Sequence, residues 1–289
     1  MNSQLPTLIR RELWEHRVLW IAPVVVAVLM LVVAVIGQFQ FDAVIPVSDR
    51  RAMFGLSVWS LGVPQVLVMS FVLWYYATDC LNAERRDRSI LFWKSMPVSD
   101  TATVLSKLLT AMVIAPAIVW VVALATSLAA GAIWAVRSWE HAGGQYWDTP
   151  TWLHMQLAGL VGLAAASLWY APLTAYLMLV SVWARRNVSL WVLLPPLVAA
   201  LLERIAFGST HIWTVIWYRV VGVWSQMSLG GVLGSTAREH RPAPSSPTEF
   251  LDYLAPWAAF RNIDLWIGVA IAAVLIYAVI RVRRYRDDT

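Results

Sequence analysis

Cysteine is nearly absent from this chain of 289 residues, and so are recognisable metal-binding or nucleotide-binding motifs. Cys80 is the only cysteine, so neither an intrachain disulfide nor a cysteine-based metal cluster is possible. The five histidines show no ligand spacing such as HExxH, and no GxxxxGK[ST] phosphate-binding loop occurs. We therefore expect no cofactor and no metal in this chain, and no ATP hydrolysis through such a loop.

Charged residues are also scarce, at 13% of the chain, whereas 60% of the residues are apolar and the mean hydropathy is +0.63. A soluble domain of this length needs more charge to cover its surface. A pI near 9.6 can indicate nucleic-acid binding in a soluble protein. Here the basic residues lie at the ends of apolar runs, which favours lipid headgroups over nucleic acid as their partners.

Six apolar runs predict an all-α integral membrane protein with six transmembrane helices, which forms a single membrane domain over residues 1–289. The runs cover about 18–36, 56–77, 104–136, 153–183, 190–202 and 265–280. We expect Ser99 or Asp100 to cap the third span. Residues 137–151 are expected to form a polar loop, and Pro195-Pro196 to break the fifth helix.

The basic residues predict that both ends of the chain face the cytoplasm (N-in/C-in). Fourteen of the 22 basic residues then lie on the inner side, although the outer loops are longer. They are Arg10, Arg11, Arg17, Arg85, Arg86, Arg88, Lys94, Lys107, Arg185, Arg186, Arg281, Arg283, Arg284 and Arg286.

Residues 5–17 place Leu5, Leu8, Ile9 and Leu13 on one face of a helix, with basic residues on its other faces. This pattern fits an interfacial helix in the cytoplasmic headgroup layer. It fits equally well an ordinary charged flank of the first span.

A seventh apolar stretch, 212–233, complicates the count of spans. A seventh crossing would put the basic C-terminus outside and Arg219 in the hydrocarbon, at a cost of about 2.5–3.5 kcal/mol. We therefore interpret 203–261 as an extracytoplasmic segment that re-enters the outer leaflet before the last span.

The six spans carry no charged residue or histidine in their central portions. Carriers driven by ion gradients generally use ionisable groups at membrane depth. Because the chain has no phosphate-binding loop either, energy for transport would have to come from another polypeptide.

The loop at 82–100, between spans two and three, is the most charged stretch of the chain. It combines charged residues with the consecutive apolar residues Ile90, Leu91, Phe92 and Trp93. A short helix of this composition in the loop would fit a socket on a soluble partner. The alternative is that the loop is a solvated, lipid-facing connector. Four large apolar residues in a cytoplasmic loop favour the partner.

The loop resembles the one between spans two and three of ATP-binding-cassette (ABC) permeases of the second exporter class. The resemblance rests on Glu84, Arg85, Ser89, Ile90, Leu91, Pro97, Val98 and Ser99. The number of spans, the orientation, the N-terminal helix and the re-entrant segment extend it to nearly the whole chain. Asp87-Arg88 depart from the glycine or threonine often found there, which leaves the subfamily open.

The resemblance implies a permease of the bacterial inner membrane that pairs with a second copy or a paralogue. Each permease docks a separate cytoplasmic ATPase, which would bind ATP and Mg²⁺. Residues 84–95 would form the coupling helix, beside the helix at 5–17. The implied docking residues are Glu84, Arg85, Arg86, Asp87, Arg88, Ile90, Leu91, Phe92, Trp93, Lys94 and Pro97.

Two other classes of function remain open. A polytopic membrane enzyme acting on lipid would need catalytic polar residues at one membrane face. Its only candidates are Glu140, His141, Asp148 and His154, which show no triad or metal spacing. A membrane scaffold or sensor without transport activity is the other.

Overall fold

The computed structural model describes residues 4–36, 47–86, 99–142, 147–184, 187–226 and 256–285. Within these ranges every regular element is helical. The helices are α1 (Gln4–Glu15), α2 (Val18–Ile36), α3 (Val47–Asp79), α4 (Asn82–Arg86), α5 (Asp100–Leu109), α6 (Ala115–Ala142), α7 (Thr149–Trp183), α8 (Val188–Phe207), α9 (His211–Gln226) and α10 (Ile263–Tyr285). A π-helical turn, Thr110–Ile114, joins α5 to α6, and a 3₁₀ turn, Pro256–Arg261, precedes α10.

Six of these helical stretches are long and apolar enough to cross a membrane, which confirms the predicted number of spans among the described residues. They are Val18–Ile36, Phe54–Asp79, Asp100–Trp134, Thr149–Trp183, Val188–Phe207 and Ile263–Tyr285. This composition fits a multi-pass membrane protein.

Two stretches that lie outside the predicted apolar runs belong to helices. Helix α3 already begins at Val47, so Asp49, Arg50 and Arg51 lie in its first turns. Helix α6 continues to Ala142, which includes the start of the predicted loop at 137–151. Both errors have one cause, because these helices extend past their apolar sections and hydropathy marks only the apolar sections.

Capping residues account for several helix ends. Ser99 caps α5 as predicted, since its side chain accepts a hydrogen bond from the Ala102 amide. Asp148 caps α7 in the same way through the Thr151 amide. Helix α8 ends at Gly208, whose φ of 65° is the left-handed conformation that glycine adopts without strain.

The main core lies where α2, α3, α5, the π turn, α6, α7 and α10 meet. Helix α7 is central and packs against both α3 and α10, and its Trp169 is completely buried. Helix α8 lies at the periphery and exposes leucines along most of its length. Helix α1 packs against α5, and the last turn of α10 reaches the start of α5. We call this end of the bundle the terminal end.

The expected break at Pro195-Pro196 does not occur, and α8 is continuous through both prolines. Pro196 has no amide hydrogen to donate to the Val192 carbonyl four residues earlier. The Tyr176 hydroxyl of α7 donates to that carbonyl instead, at 3.0 Å. A neighbouring helix thus supplies the missing hydrogen bond, as membrane helices with interior prolines require.

Candidate functional site: a buried ion cluster at the terminal end

Five charged side chains meet at the terminal end. They come from α1, α4, α5 and α10, and four of the five are buried. The members of this ion cluster are Glu12, Glu84, Asp100, Lys107 and Arg283. Charged side chains are rarely buried unless they are paired, so this grouping marks a specific contact between the helices that contribute to it.

Lys107 lies at the centre of the ion cluster. Its Nζ is 2.7 Å from Oε1 of Glu12 and 3.1 Å from Oε1 of Glu84. Only 1% of the Lys107 side chain is exposed. Lys107 lies in the second turn of α5, so the contact ties the third span to both the N-terminal helix and the start of the 82–100 loop.

Arg283 joins the two described ends of that loop. One terminal nitrogen of its guanidinium donates to Oε2 of Glu84 at 2.8 Å, and its Nε donates to Oδ1 of Asp100 at 3.1 Å. Glu84 precedes the segment 87–98 and Asp100 follows it. Because one guanidinium holds both carboxylates, α10 is fixed to the chain on either side of that segment.

Tyr76 extends the ion cluster to α3. Its hydroxyl donates to Oε2 of Glu12 at 2.9 Å, so both carboxylate oxygens of Glu12 have a donor. The His16 ring packs edge-on against the Tyr76 ring. Burial lowers the pKa of His16, although the nearby Glu12 charge partly opposes this effect. The N-terminal helix is thereby attached to the bundle by polar contacts as well as by the buried side chain of Leu8.

The charges of the ion cluster depend on one another. Burial alone would raise the pKa of Glu84, but the positive charges of Lys107 and Arg283, with their hydrogen bonds, lower it overall. Glu84 is therefore held as a carboxylate. Removing either cation would leave a buried negative charge without full compensation, and such a change costs about 3–5 kcal/mol.

The sequence-predicted docking residues fall into three groups. Glu84 is a member of the ion cluster, and Arg86 is largely exposed, with a guanidinium nitrogen 3.7 Å from Oδ1 of Asp79. Arg85 lies in α4, but its side chain is outside the described residues. Asp87, Arg88, Ile90, Leu91, Phe92, Trp93, Lys94 and Pro97 also lie outside them.

Sequence reasoning missed Glu12, Tyr76, Asp100, Lys107 and Arg283 as parts of one site. Two signals were available. Glu12 lies on the same helical face as Leu5, Leu8 and Ile9, where a carboxylate is out of place without a partner. Lys107 is one of only two lysines in the chain and falls inside the third apolar run.

The described residues offer one possible metal-binding group, formed by Glu12, Glu15 and His16, with ligand atoms within 4.8 Å of one another. Glu12 is already bonded to Lys107 and Tyr76, and Glu15 pairs with Arg11 at 2.6 Å. The geometry therefore favours ion pairing over metal binding.

Two of the four residues suggested for a lipid-directed enzyme, Asp148 and His154, have other contacts. Asp148 accepts hydrogen bonds from the Thr151 amide and hydroxyl at the start of α7. The His154 ring packs edge-on against Trp257. Glu140 and His141 lie in the last turn of α6, and their side chains are outside the described residues. Asp148 thus has a structural role as a helix cap.

The opposite side of the molecule holds α9 by a second set of contacts. The Arg219 guanidinium lies over the Trp169 ring at 4.6 Å and donates to the Asp264 carbonyl at 3.1 Å. The Trp169 indole donates in turn to the Arg219 carbonyl at 2.9 Å. At the start of α9, Glu203 accepts hydrogen bonds from the amides of His211 and Ile212. Helix α9 is therefore fixed to α7, α8 and α10.

Comparison of the chain with protein-family models, curated proteins and solved structures gave no match. The proposal for its function therefore rests on the geometry of the ion cluster and on the chemistry of the spans.

Proposed function

We propose that this chain is the membrane-spanning permease subunit of an ATP-driven ABC exporter. A separate cytoplasmic ATPase docks on the loop between spans two and three, and a second permease copy or a paralogue completes the transporter. The chain spans the bacterial inner membrane six times with both ends inside. Helix α1 lies at the inner face, and α9 re-enters from the outer face.

The observation that carries the proposal is the bridge from Arg283 to both Glu84 and Asp100. A partner that displaces segment 87–98 pulls on two carboxylates that share one guanidinium. Lys107 and Tyr76 connect the same group to α1, α3 and α5. A movement of the loop is thereby passed to the second, third and last spans together.

The chemistry of the spans supports the same proposal. Their central portions carry no charged residue or histidine in the sequence, and the charged residues of the ion cluster lie at the terminal end. A transporter of this composition needs an outside source of energy. ATP hydrolysis by a docked subunit supplies it.

The docking surface is tested with the double variant Phe92→Ala/Trp93→Ala. The test first searches the neighbouring reading frames for an ABC ATPase, and the probe is that ATPase co-expressed with the permease. We expect the variant to insert into the membrane but to lose co-purification of the ATPase and stimulation of its activity. The matched control is Trp213→Ala/Trp217→Ala, which removes two exposed aromatic residues from α9.

The control should retain both the ATPase and its stimulation. If the Phe92→Ala/Trp93→Ala variant binds the ATPase as well as the control does, and turnover is equally stimulated, the assigned role of the loop is wrong. If the isolated chain moves cargo with no ATPase present, the whole proposal fails.

A further inference from the structure

An apolar cavity of about 170 Å³ lies between α3, α6 and α7. It is separate from the ion cluster and shares no residue with it. Small, aliphatic and aromatic residues form most of its wall, and part of the cavity is open to the outside. The residues that bear on its chemistry are Trp59, Gly62, Met112, Trp120, Gly159 and Leu163.

Among the described residues none that lines the cavity is charged, and most of its polar groups are already bonded. Ser70 and Ser167 donate to carbonyls of their own helices. The Tyr170 hydroxyl donates to a carbonyl of α9, and the Gln156 amide donates to Ser127 Oγ. A charged ligand would find no counter-ion here, whereas an apolar ligand would find matching surface.

The cavity is elongated along the helix axes. Its wall extends along α3 from Val58 to Leu73, a rise of about 22 Å at 1.5 Å per residue. This length is a large part of the hydrocarbon thickness of about 30 Å. Two glycines widen it, because a Cβ atom built on Gly62 or Gly159 would meet no atom within 4 Å.

A helix irregularity forms part of the same wall. The Ala115 amide donates to the Thr110 carbonyl five residues earlier, which defines the π turn, and Pro116 follows without an amide hydrogen. Ala111 and Met112 of this turn line the cavity, as does Pro116. Such π turns occur frequently at functional sites in membrane and soluble helices.

We propose that this cavity binds one acyl chain of a bilayer lipid, which lies lengthwise between α3, α6 and α7. A volume slightly above the ~150 Å³ of an engineered cavity that takes benzene accommodates several carbon atoms of a chain. The rest of the chain lies along the open part. A helix from a second copy, about 10–12 Å across, needs far more volume than the roughly 170 Å³ of this cavity. This inference requires no ATPase and is independent of the proposed function.

An empty cavity of this kind would be unfavourable in a bilayer. Its lining atoms would lose dispersion contacts on one side, and water would find few free polar partners on its wall. A lipid chain restores those contacts without desolvating any charge.

The test uses the full chain in nanodiscs of phosphatidylcholine, with a small fraction of phosphatidylcholine that carries a diazirine in one acyl chain. After illumination, labelled residues are mapped by mass spectrometry. We expect labels at cavity residues such as Met112 and Leu163, in addition to exposed positions such as Phe71 and Leu193.

The cavity is then filled with the double variant Gly62→Leu/Gly159→Leu, in which the new side chains enter open space. We expect loss of the cavity labels and retention of the surface labels. The matched control is Ala270→Leu, an exposed position on α10, which should keep both sets.

Three results would overturn the inference. The first is an unlabelled cavity in the unchanged protein, and the second is cavity labelling that the double variant does not reduce. The third is a cross-link from the cavity to a second copy of the chain. If the double variant does not insert, the single variants Gly62→Leu and Gly159→Leu decide in its place, because each new side chain enters the same open space.

Discussion

Lys107 illustrates how one side chain determines the arrangement of several helices. Its ammonium is buried between two carboxylates that come from α1 and α4, at sequence separations of 95 and 23 residues. A charge in this position contributes little net stability relative to an apolar core. It does impose a unique arrangement, because any shift of these helices leaves a buried charge without a partner.

Replacement of Lys107 should therefore be severe. We expect Lys107→Met to lower the free energy of unfolding by about 3–5 kcal/mol, since Glu12 and Glu84 remain buried without their shared cation. Arg11→Ala, which removes the partly exposed pair with Glu15, should cost only about 0.3–0.5 kcal/mol. Denaturant unfolding in detergent micelles measures both. Equal losses for the two variants would show that the contacts of Lys107 are weak in solution.

Glu84 makes the stability of the protein depend on pH. Its pKa in the folded state lies below the ordinary value of 4.5, because Lys107 and Arg283 outweigh the effect of burial. Between the unfolded pKa and this lower folded pKa, the Glu84 carboxylate of the unfolded chain binds more protons than that of the folded chain. Stability therefore decreases as the pH falls through the folded pKa. We expect Glu84→Gln to be less stable at neutral pH and to lose part of this acid dependence.

Unfolding midpoints measured at several acidic pH values test the prediction. Glu15→Gln is the control, because Glu15 lies in the same helix as Glu12 but is exposed and does not enter the ion cluster. An unchanged acid dependence in Glu84→Gln would assign the effect to other carboxylates.

Interior prolines show how helices of this bundle depend on their neighbours. The Tyr176 hydroxyl of α7 donates to the Val192 carbonyl that Pro196 leaves without its usual amide donor. We expect Tyr176→Phe to cost about 1–3 kcal/mol, the penalty for an unsatisfied buried polar group. Pro196→Ala restores the amide donor, so Tyr176→Phe should cost much less in that background.

Thermal-shift measurements on Tyr176→Phe, Pro196→Ala and the double variant show whether the effects of the two substitutions on stability depend on each other. Additive losses would mean that the hydroxyl and the proline act independently, contrary to this account.

Most of the helical architecture could be predicted from the sequence, because apolar runs of membrane length have few alternatives to a helix. The predicted start of α3 and the predicted end of α6 were wrong, because polar residues continue both helices beyond their apolar sections. The break at Pro195-Pro196 was wrong because the compensating donor, Tyr176, lies in another helix. The ion cluster could not be predicted as a unit, since one sequence does not reveal which of its charges meet across separations such as the 199 residues between Glu84 and Arg283.

At the scale of the whole molecule, the bundle has two differently stabilised ends. The terminal end is held by ion pairs, whereas the opposite side holds α9 through Arg219, Trp169 and Asp264. Helix α7 connects the two regions. It is 35 residues long, or about 52 Å, well beyond the hydrocarbon thickness of about 30 Å.

The proposed orientation predicts which surfaces face each side of the membrane. Cys80 is buried, and burial raises the pKa of its thiol to about 12, so its own reaction with maleimide should be slow. In a Cys80→Ala background, we expect Ser245→Cys to react with a membrane-impermeant maleimide added to intact cells. Arg10→Cys should react only after the membrane is permeabilised.

The fraction of each thiol labelled before and after permeabilisation measures the sidedness. If both thiols react from outside, or both react only after permeabilisation, the two positions share one side and the proposed six-span orientation is wrong.

The ion pairs of Arg283 have a consequence for biosynthesis. Chains enter the membrane from the N-terminus, so Glu84 and Lys107 are translated long before the helix that supplies Arg283. Until α10 has been inserted, Glu84 lacks one of its two cations and Asp100 lacks its guanidinium. The final charge pairing is reached only when the last helix is in place, so a nascent chain arrested before α10 exposes an incomplete acidic site at the loop to which the ATPase is proposed to bind.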